Sequence, residues 1–266
     1  MLNIFKKENV FPMLAFDHRG SFVKLLTGNG AEPKLQEIIE VKKNILQAFV
    51  PYMSGTLIDE DYGLPALQSM HSLVPYLLPL EKTGYTDKSG ERITEIVTTP
   101  KKLIEKGAQG AKILLYANHN VPSWAAQVKT AKNQAYMCRE AHLPFFLEFV
   151  LYEVGKTKPG SVYETVEKAI QDGVTCDVWK LPYPGSKEEC EKITTLVGST
   201  PWIVLTGGTT FEEFNEQYFI ARTAGCSGFL AGRALWQEVG ELWRDETKYR
   251  NFLQNELPAR FKKLIA

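Results

Sequence analysis

Short apolar segments alternate with longer amphipathic segments along this chain, and that alternation limits the fold more than any other feature. Apolar residues recur every three or four positions over Pro33–Phe49, which indicates a helix. The apolar segments are short and need cover on both faces, as in a parallel sheet with helical crossovers. Eight segments read as strands: Pro12–Asp17, Gly55–Glu60, Leu77–Lys82, Gly110–Tyr116, Pro144–Leu151, Asp177–Pro182, Pro201–Thr206 and Gly228–Ala231. The pattern predicts an α/β fold, a single (β/α)8 TIM barrel.

The segments between the strands complete this pattern. The predicted helices are Pro33–Phe49, Leu64–Ser72, Pro100–Lys106, Ser123–Ala141, Val162–Asp172, Lys187–Val197 and Phe211–Ala224, with a helical region from Leu235 to Ile265. Residues 83–98 are polar and predict a long loop. No linker or repeat divides the 266 residues, so we expect one domain over 1–266. An open doubly wound sheet is the alternative, but its switch point cannot be located.

Composition excludes several classes of partner. Lys plus Arg and Asp plus Glu each number 31, so the formal net charge is zero, and no basic stripe predicts binding to nucleic acid or to a membrane. The four cysteines form no CxxC pair and have no metal-ligand spacing with the histidines. We therefore expect reduced thiols, no metal and a cytoplasmic location.

Charged residues gather where the predicted strands end. They are Asp17 on the first strand, Asp59 and Glu60 on the second, Glu81 and Lys82 on the third, Lys112 on the fourth, Glu148 on the fifth and Lys180 on the sixth. Burying an unpaired charge costs several kcal/mol, so these groups must pair with one another or perform chemistry. Active sites of barrels lie at this end of the strands.

Lys180 is the candidate nucleophile. Its neighbours Val178, Trp179 and Leu181 are apolar, and loss of hydration would lower the lysine pKa and favour the neutral amine that forms a Schiff base. Glu148 on the adjacent strand could move the protons, and a second cation would favour the neutral amine further. The alternative is that Lys180 only extends from a strand end into solvent.

The last two strands carry a phosphate signal. Thr206, Gly207 and Gly208 end the seventh strand, and Gly232 and Arg233 end the eighth. Glycines let backbone N–H groups approach an anion, and arginine supplies a fork of donors. The alternative is that the glycines simply make turns. His18, directly after Asp17, is a candidate substrate contact.

With these residues the chain resembles the class I aldolase family that includes tagatose-1,6-bisphosphate aldolase and sulfofructose-phosphate aldolase. The resemblance runs in order over nearly the whole chain, and its motifs are Leu14–Ser21, Lys112–Tyr116, Phe146–Glu148, Asp177–Lys180, Pro201–Gly208 and Ala224–Trp236. The chain also resembles an aldolase-like domain fused to some inositol-catabolism sugar-acid kinases. That second resemblance rests on Asp17–Phe22, Glu81–Gly84 and Asp177–Lys180.

The resemblance implies a barrel that cleaves a ketose phosphate to dihydroxyacetone phosphate and an aldehyde, without a metal or any cofactor other than the lysine imine. Lys180 would form the imine and Glu148 would be the general acid and base. Asp17 and Lys112 would orient the substrate. The substrate and its phosphate would be held by His18, Arg19, Thr206, Gly207, Gly208, Gly232 and Arg233. A homo-oligomer is expected from the same resemblance.

Two departures from the family leave the substrate open. His18 stands where the aldolases commonly carry Gln, and the segment after the imine lysine, Pro182–Ser186, is short. Both would face the aldehyde half of the substrate. Tagatose or fructose bisphosphate, sulfofructose phosphate and a deoxy-keto-gluconate phosphate all stay candidates. A sugar-phosphate isomerase or epimerase that uses Glu148 as a base, and a non-catalytic sugar-phosphate binder, are the alternative functions.

Overall fold

Eight parallel strands close into a barrel in the computed structural model of the chain, which describes residues 1–28, 30–70 and 74–266. The strands in chain order are β1 (Phe11–Phe16), β2 (Gly55–Ile58), β3 (Tyr76–Pro79), β4 (Thr86–Lys88), β5 (Glu91–Ile93), β6 (Gly110–Ala117), β7 (Phe145–Leu151), β8 (Val178–Leu181), β9 (Trp202–Val204) and β10 (Gly228–Ala231). Around the barrel the order is β1, β10, β9, β8, β7, β6, β3 and β2, and β4 pairs with β5 in a separate antiparallel hairpin. The predicted (β/α)8 barrel is confirmed.

Helices cover the outside of this barrel. They are α1 (Gly20–Thr27), α2 (Leu35–Phe49), α3 (Gly63–Ser69), α4 (Pro100–Glu105), α5 (Trp124–Glu140), α6 (Val162–Gln171), α7 (Lys187–Val197), α8 (Phe211–Thr223), α9 (Arg233–Trp236), α10 (Val239–Leu242), α11 (Glu246–Asn251) and α12 (Leu257–Ile265). A 3₁₀ helix spans Leu2–Phe5, and a π-helical turn spans Phe252–Glu256. In the part of the chain that the structure describes, no helix is both long enough and apolar enough to span a bilayer.

Two segments differ from the sequence prediction. Helix α1 follows the first strand directly, although no helix was predicted there, and the hairpin β4–β5 interrupts the stretch predicted as a loop. Helix α1 has only eight residues and the hairpin is short and polar, so hydrophobic periodicity gives little signal for either. The helix predicted from Leu64 to Ser72 corresponds to α3, but Ser72 lies outside the described residues.

Alternation along the strands divides the core into two parts. Side chains on a strand point alternately to its two faces, so Phe11, Met13 and Ala15 of β1 point into the barrel. The inner cluster is small and includes Leu57, Leu77, Phe146, Val178, Ile203 and Leu230. A much larger cluster lies between the strands and the helices around them. On each strand, the inward-facing residue that follows this inner cluster toward the carboxyl end therefore lies at the bottom of any site formed there.

The 3₁₀ helix closes the other end of the barrel with Phe5. Its ring is fully buried and meets the ring of Phe146 edge-on, with 5.7 Å between the ring centroids. A β-carbon on Gly55 would lie 2.7 Å from the Phe5 ring, so glycine makes room for it. The hydroxyl of Ser54 donates a 2.6 Å hydrogen bond to the Phe5 carbonyl.

We expect Phe5→Ala to lower the free energy of unfolding by about 3–5 kcal/mol, because it removes a fully buried aromatic ring and leaves a cavity. Urea unfolding followed by circular dichroism measures this loss. Ile4→Ala is the matched control, since Ile4 is in the same turn but 46% exposed; its effect should stay within about 0.5 kcal/mol. Equal effects of the two substitutions would show that Phe5 does not close the barrel.

Candidate active site

A cavity of about 550 Å³ opens at the carboxyl ends of the barrel strands. Every site residue predicted from the sequence lines it: Asp17, His18, Arg19, Lys112, Glu148, Lys180, Thr206, Gly207, Gly208, Gly232 and Arg233. They come from six barrel strands, or the loops directly after them, that are far apart in the sequence. The barrel therefore brings the whole predicted set to one place.

The strand period places the charged side chains in this cavity. Lys180 lies two residues beyond the inward-facing Val178, and Glu148 lies two beyond Phe146. Parallel pairing of β7 and β8 puts the α-carbons of Glu148 and Lys180 side by side. Neighbouring strands thus present a carboxylate and an ammonium group at the same height.

Lys180 and Lys112 share one carboxylate oxygen. The Nζ of Lys180 donates a 2.8 Å hydrogen bond to Oε2 of Glu148, and the Nζ of Lys112 lies 3.4 Å from the same oxygen. All three side chains are at most 9% exposed, so water screens these charges little. Lys180 as proton donor and Glu148 as proton acceptor are therefore in direct contact at a largely buried position.

Lys112 stands at the centre of three carboxylates. Besides Glu148, it pairs with Asp17, whose Oδ2 lies 3.0 Å from the Lys112 ammonium, and with Oε1 of Glu81. Burial alone would lower the pKa of Lys112, but the three negative charges outweigh burial and raise that pKa well above its usual value. Lys112 therefore stays positively charged throughout the working range of pH.

The carboxylates respond to this charge in opposite ways. Burial would raise the pKa of Asp17, yet the attraction of Lys112, His18 and Lys180 holds it well below the usual range. Burial raises the pKa of Glu81 despite its contact with Lys112, and the negative charge of Asp17 raises it further. Of Asp17 and Glu81, Glu81 is thus the acid that takes up a proton more readily.

Glu81 belongs to the site although the predicted site set did not include it. It is 7% exposed, lines the cavity, and has one carboxylate oxygen, Oε2, that is buried without a hydrogen-bond partner among the described residues. Its position at the end of the third strand was the available signal. Sequence pattern alone did not show that Glu81 contacts Lys112.

The loops after β9 and β10 form the other end of the cavity. Gly207 and Gly208 have φ values of 59° and 87°, a conformation that side chains disfavour, and they lead into helix α8. A β-carbon on Gly208 would lie 3.5 Å from the Arg233 guanidinium, so the arginine is next to the glycine turn. Thr206, 8% exposed, completes this surface. Such a surface of glycine turn and guanidinium suits a dianionic phosphate.

His18 lies beside this glycine and arginine surface. Its Cε1 would be 3.2 Å from a β-carbon on Gly232, and its ring meets the Trp236 ring edge-on at 5.0 Å. Burial lowers the pKa of His18 to about 4, against the attraction of Asp17, so the imidazole is neutral at pH 7. The ring lies next to the glycine and arginine surface, and its expected contact with the aldehyde half stays a prediction.

Metal ligands and thiols contribute little to this site. Over residues 1–28, 30–70 and 74–266, no group of three or more His, Cys, Asp or Glu is arranged to hold a metal ion. Cys138, Cys190 and Cys226 are buried free thiols, and Cys176 is partly exposed. Burial raises the pKa of each of these thiols, which keeps them protonated and unreactive.

Comparison with known protein families gives one match over most of the chain. Residues 11–238 match the model described as "DeoC/LacD family aldolase". The matched range begins at the first residue of β1 and ends after α9, so it contains every strand of the barrel.

Characterised relatives align over most of their length. The chain is 28% identical to tagatose 1,6-diphosphate aldolase 2 of Streptococcus agalactiae serotype III (strain NEM316), with 92% of this chain and 89% of the relative covered. It is 30% identical to the tagatose 1,6-diphosphate aldolase of S. agalactiae serotype V (strain ATCC BAA-611 / 2603 V/R), covering 86% and 82%.

Solved structures share the fold. An archaeal fructose-1,6-bisphosphate aldolase, with its catalytic lysine covalently bound to the carbinolamine intermediate, superposes with a TM-score of 0.71. The identity is 17%, and the match covers all of this chain and 98% of the other. At that identity the likeness concerns the barrel and not the substrate.

The neutral His18 predicts a specific pH dependence of stability. The unfolded chain binds a proton on this imidazole below pH 6.5, whereas the folded protein does so only below about pH 4. The contribution of the neutral His18 to the free energy of unfolding is therefore complete above pH 6.5 and is lost as the pH falls toward 4. Between pH 7 and pH 4.5 we expect the wild type to lose about 2 kcal/mol more unfolding free energy than His18→Gln. Urea titrations at both pH values test this, and parallel losses would contradict it.

Proposed function

The chain belongs to the DeoC/LacD family of aldolases, and on that basis we propose that it cleaves a phosphorylated ketose to dihydroxyacetone phosphate and an aldehyde through an imine on Lys180. The relatives named as tagatose 1,6-diphosphate aldolases support the ketose phosphate as substrate. The observation that carries the proposal is the unequal partnering of the two buried lysines in the cavity.

Of these lysines, Lys180 is the one suited to lose its proton. Lys112 is held as a cation by three carboxylates, whereas Lys180 forms its ion pair with Glu148, whose charge it shares with Lys112. Only the neutral amine can attack a carbonyl carbon. Lys112 therefore supplies a fixed positive charge, and Lys180 supplies the nucleophile.

Glu148 is placed to move each proton of imine formation. It can accept a proton from Lys180 across the 2.8 Å hydrogen bond, which frees the amine to attack the ketone carbon. After the attack a proton passes from the new ammonium nitrogen to the alkoxide oxygen and gives the neutral carbinolamine. The carboxylic acid of Glu148 then protonates the carbinolamine hydroxyl, which leaves as water while the nitrogen lone pair forms the iminium. Glu148 is again a carboxylate after this step.

Cleavage uses Glu148 a second time. The carboxylate removes the proton of the C4 hydroxyl, the C3–C4 bond breaks, and its electron pair passes to the iminium nitrogen to give an enamine and a free aldehyde. Protonation of the enamine at C3 and hydrolysis of the imine release dihydroxyacetone phosphate. Lys112 and Asp17 hold the substrate hydroxyl groups and keep the charge of the pocket balanced.

The barrel order gives the substrate a direction. The phosphate would bind Gly207, Gly208, Gly232 and Arg233, after β9 and β10. Strands β3 and β6 lie across the barrel from these two, and their ends carry Glu81 to Gly84 and Tyr116. The aldehyde half would therefore lie against that opposite wall. A small-molecule sugar phosphate is the expected partner, while a homo-oligomer and a cytoplasmic location stay predictions.

Borohydride reduction in the presence of dihydroxyacetone phosphate should fix one ligand molecule on Lys180, because hydride reduces the imine to a stable amine. Intact mass and peptide mass spectrometry detect the adduct and locate it. Lys180→Met should abolish it. Lys187→Met is the matched control, since Lys187 is exposed on α7 and should leave the adduct unchanged.

Three outcomes separate the alternative functions. An unmodified wild type that still binds dihydroxyacetone phosphate contradicts the imine mechanism. Residual turnover of Lys180→Arg on a ketose phosphate would favour an isomerase or epimerase that uses Glu148 as its base. Binding without an adduct and without turnover would favour a non-catalytic sugar-phosphate binder.

Arg233→Met should weaken phosphate recognition selectively, because it removes a guanidinium while keeping a side chain of similar length. We expect the concentration of dihydroxyacetone phosphate that half-saturates trapping to rise about 10-fold or more, as for loss of a charge-assisted contact. The corresponding concentration for unphosphorylated dihydroxyacetone should change little. Equal effects on the two ligands would place the phosphate elsewhere in the cavity.

A further inference from the structure

A second buried lysine–carboxylate pair lies behind the wall of the cavity. Lys42 of α2 and Asp59, directly after β2, are both 0% exposed and form an ion pair. Neither residue lines the cavity, and Lys42 was not among the residues singled out from the sequence. A buried pair of this kind contributes little net stability, because desolvation offsets its attraction. The other contacts of the Lys42 ammonium group, which are with backbone carbonyls, indicate a role besides stability.

The ammonium group of Lys42 holds the backbone on both sides of Asp17. It donates a 2.9 Å hydrogen bond to the Phe16 carbonyl and a 2.8 Å hydrogen bond to the His18 carbonyl. These two bonds fix the residues before and after the aspartate that pairs with Lys112. The direction of the Asp17 side chain depends on that backbone.

Asp59 connects the same ammonium group to the end of β2. Its Oδ1 accepts hydrogen bonds from the backbone N–H groups of Asp61 and Tyr62, at 3.0 and 2.7 Å, and Oδ2 accepts one from Gly63 at 3.1 Å. Asp61 in turn lies 3.6 Å from the guanidinium of Arg19, which lines the cavity. One buried pair thus ties together the loops that follow β1 and β2.

Aromatic rings complete the enclosure of Lys42. Its Nζ lies 4.6 Å from the Phe16 ring centroid, 5.1 Å from that of Phe22 and 5.9 Å from that of Tyr62. These rings enclose the fully buried ammonium group, and burial lowers the Lys42 pKa despite the attraction of Asp59. The position of the group is therefore determined from every side.

We propose that Lys42 is a positioning residue, which acts through the Phe16 and His18 carbonyls to aim Asp17 at Lys112 and to place His18 beside the glycine turn. The path to the chemistry runs from Asp17 through Lys112 to Glu148, each step an ion pair of 3.4 Å or less. This inference rests on the proposed function for its effect on catalysis. Its effect on the geometry of the β1 end is independent of that function.

The test uses Lys42→Met, which keeps the apolar stem but loses the charge and all three hydrogen bonds. With dihydroxyacetone phosphate and borohydride, we expect the trapping rate at saturation to fall about 10-fold or more, as when a reacting group is misplaced. The half-saturating concentration should change by less than about 3-fold, because the phosphate contacts remain. Lys42→Arg, which keeps the charge and can donate to both carbonyls, should recover most of the rate.

Lys43→Met is the matched control on the same helix. Lys43 pairs with Glu40 at 3.4 Å near the surface, so its loss should leave the trapping rate unchanged. The pKa of His18, followed by NMR of its imidazole, is a second readout. The Lys42 charge helps to lower that pKa, so it should rise in Lys42→Met and stay at about 4 in Lys43→Met.

Stability is separated from positioning by a double variant. If Lys42→Met alone unfolds because Asp59 is left unpaired, Lys42→Met with Asp59→Asn removes both charges and should fold. It should show the same loss of trapping rate. A folded variant with the wild-type trapping rate would overturn the proposal.

Failure of the proposed function gives a different result. If the wild type itself forms no adduct, the aldolase mechanism fails, and the backbone NMR chemical shifts of Asp17 and His18 decide whether Lys42 positions the β1 end through the two carbonyls it holds. Shifts that change in Lys42→Met but not in Lys43→Met support positioning, and shifts that match the wild type in both variants overturn it.

Discussion

The ion pairs of Lys112 are the interaction on which the rest of the site depends. An ammonium group at 1% exposure must be compensated, and Asp17, Glu81 and Glu148 supply that compensation from three different strands. Removal of any one partner would leave a charge buried and unbalanced. The cluster therefore specifies how the ends of β1, β3, β6 and β7 sit relative to one another. In the described part of the chain, Lys180 pairs only with Glu148, and Glu148 also contacts Lys112. Such weak compensation suits a lysine that must become a neutral amine to form an imine.

Burial organises this chemistry as much as charge does. The inner cluster below the site is apolar and is closed at the far end by Phe5. The charged side chains of the site therefore lie directly on a layer of buried apolar side chains. In such surroundings electrostatic interactions are stronger than in water, and small changes in partner set large differences in proton affinity. Glu81 and Asp17 show this directly, because the same burial ends in a raised pKa for one and a lowered pKa for the other. Both contact Lys112, but His18 and Lys180 also attract Asp17, whereas the charge of Asp17 repels Glu81, and these further charges decide the direction.

Much of the fold and of the candidate site was predictable because both follow from periodicity. Every barrel strand was found within a few residues of its predicted bounds, since each is a compact apolar run between helices. The charged strand ends stood out because Lys180 and Glu148 interrupt such runs. Helix α1 and the β4–β5 hairpin were missed, because Gly20–Thr27 is too short to show a clear period and Thr86–Ile93 is short and polar. Lys42 was missed for another reason: a lysine in an amphipathic helix has the pattern of a solvated face.

The sequence by itself determined the barrel, the end of the barrel that carries the charges and several of the charged residues that line the cavity there. Strand period and chain order suffice for this, because parallel strands that alternate with helices present their carboxyl ends together. Only the tertiary structure decided which charges pair. In the sequence Lys112 and Lys180 are simply two lysines on predicted strands, and their difference arises from distances to carboxylates on neighbouring strands. Lys42 likewise became part of the active-site framework only when α2 packed against the ends of β1 and β2, because its partners there are backbone carbonyls and Asp59, far from it in sequence.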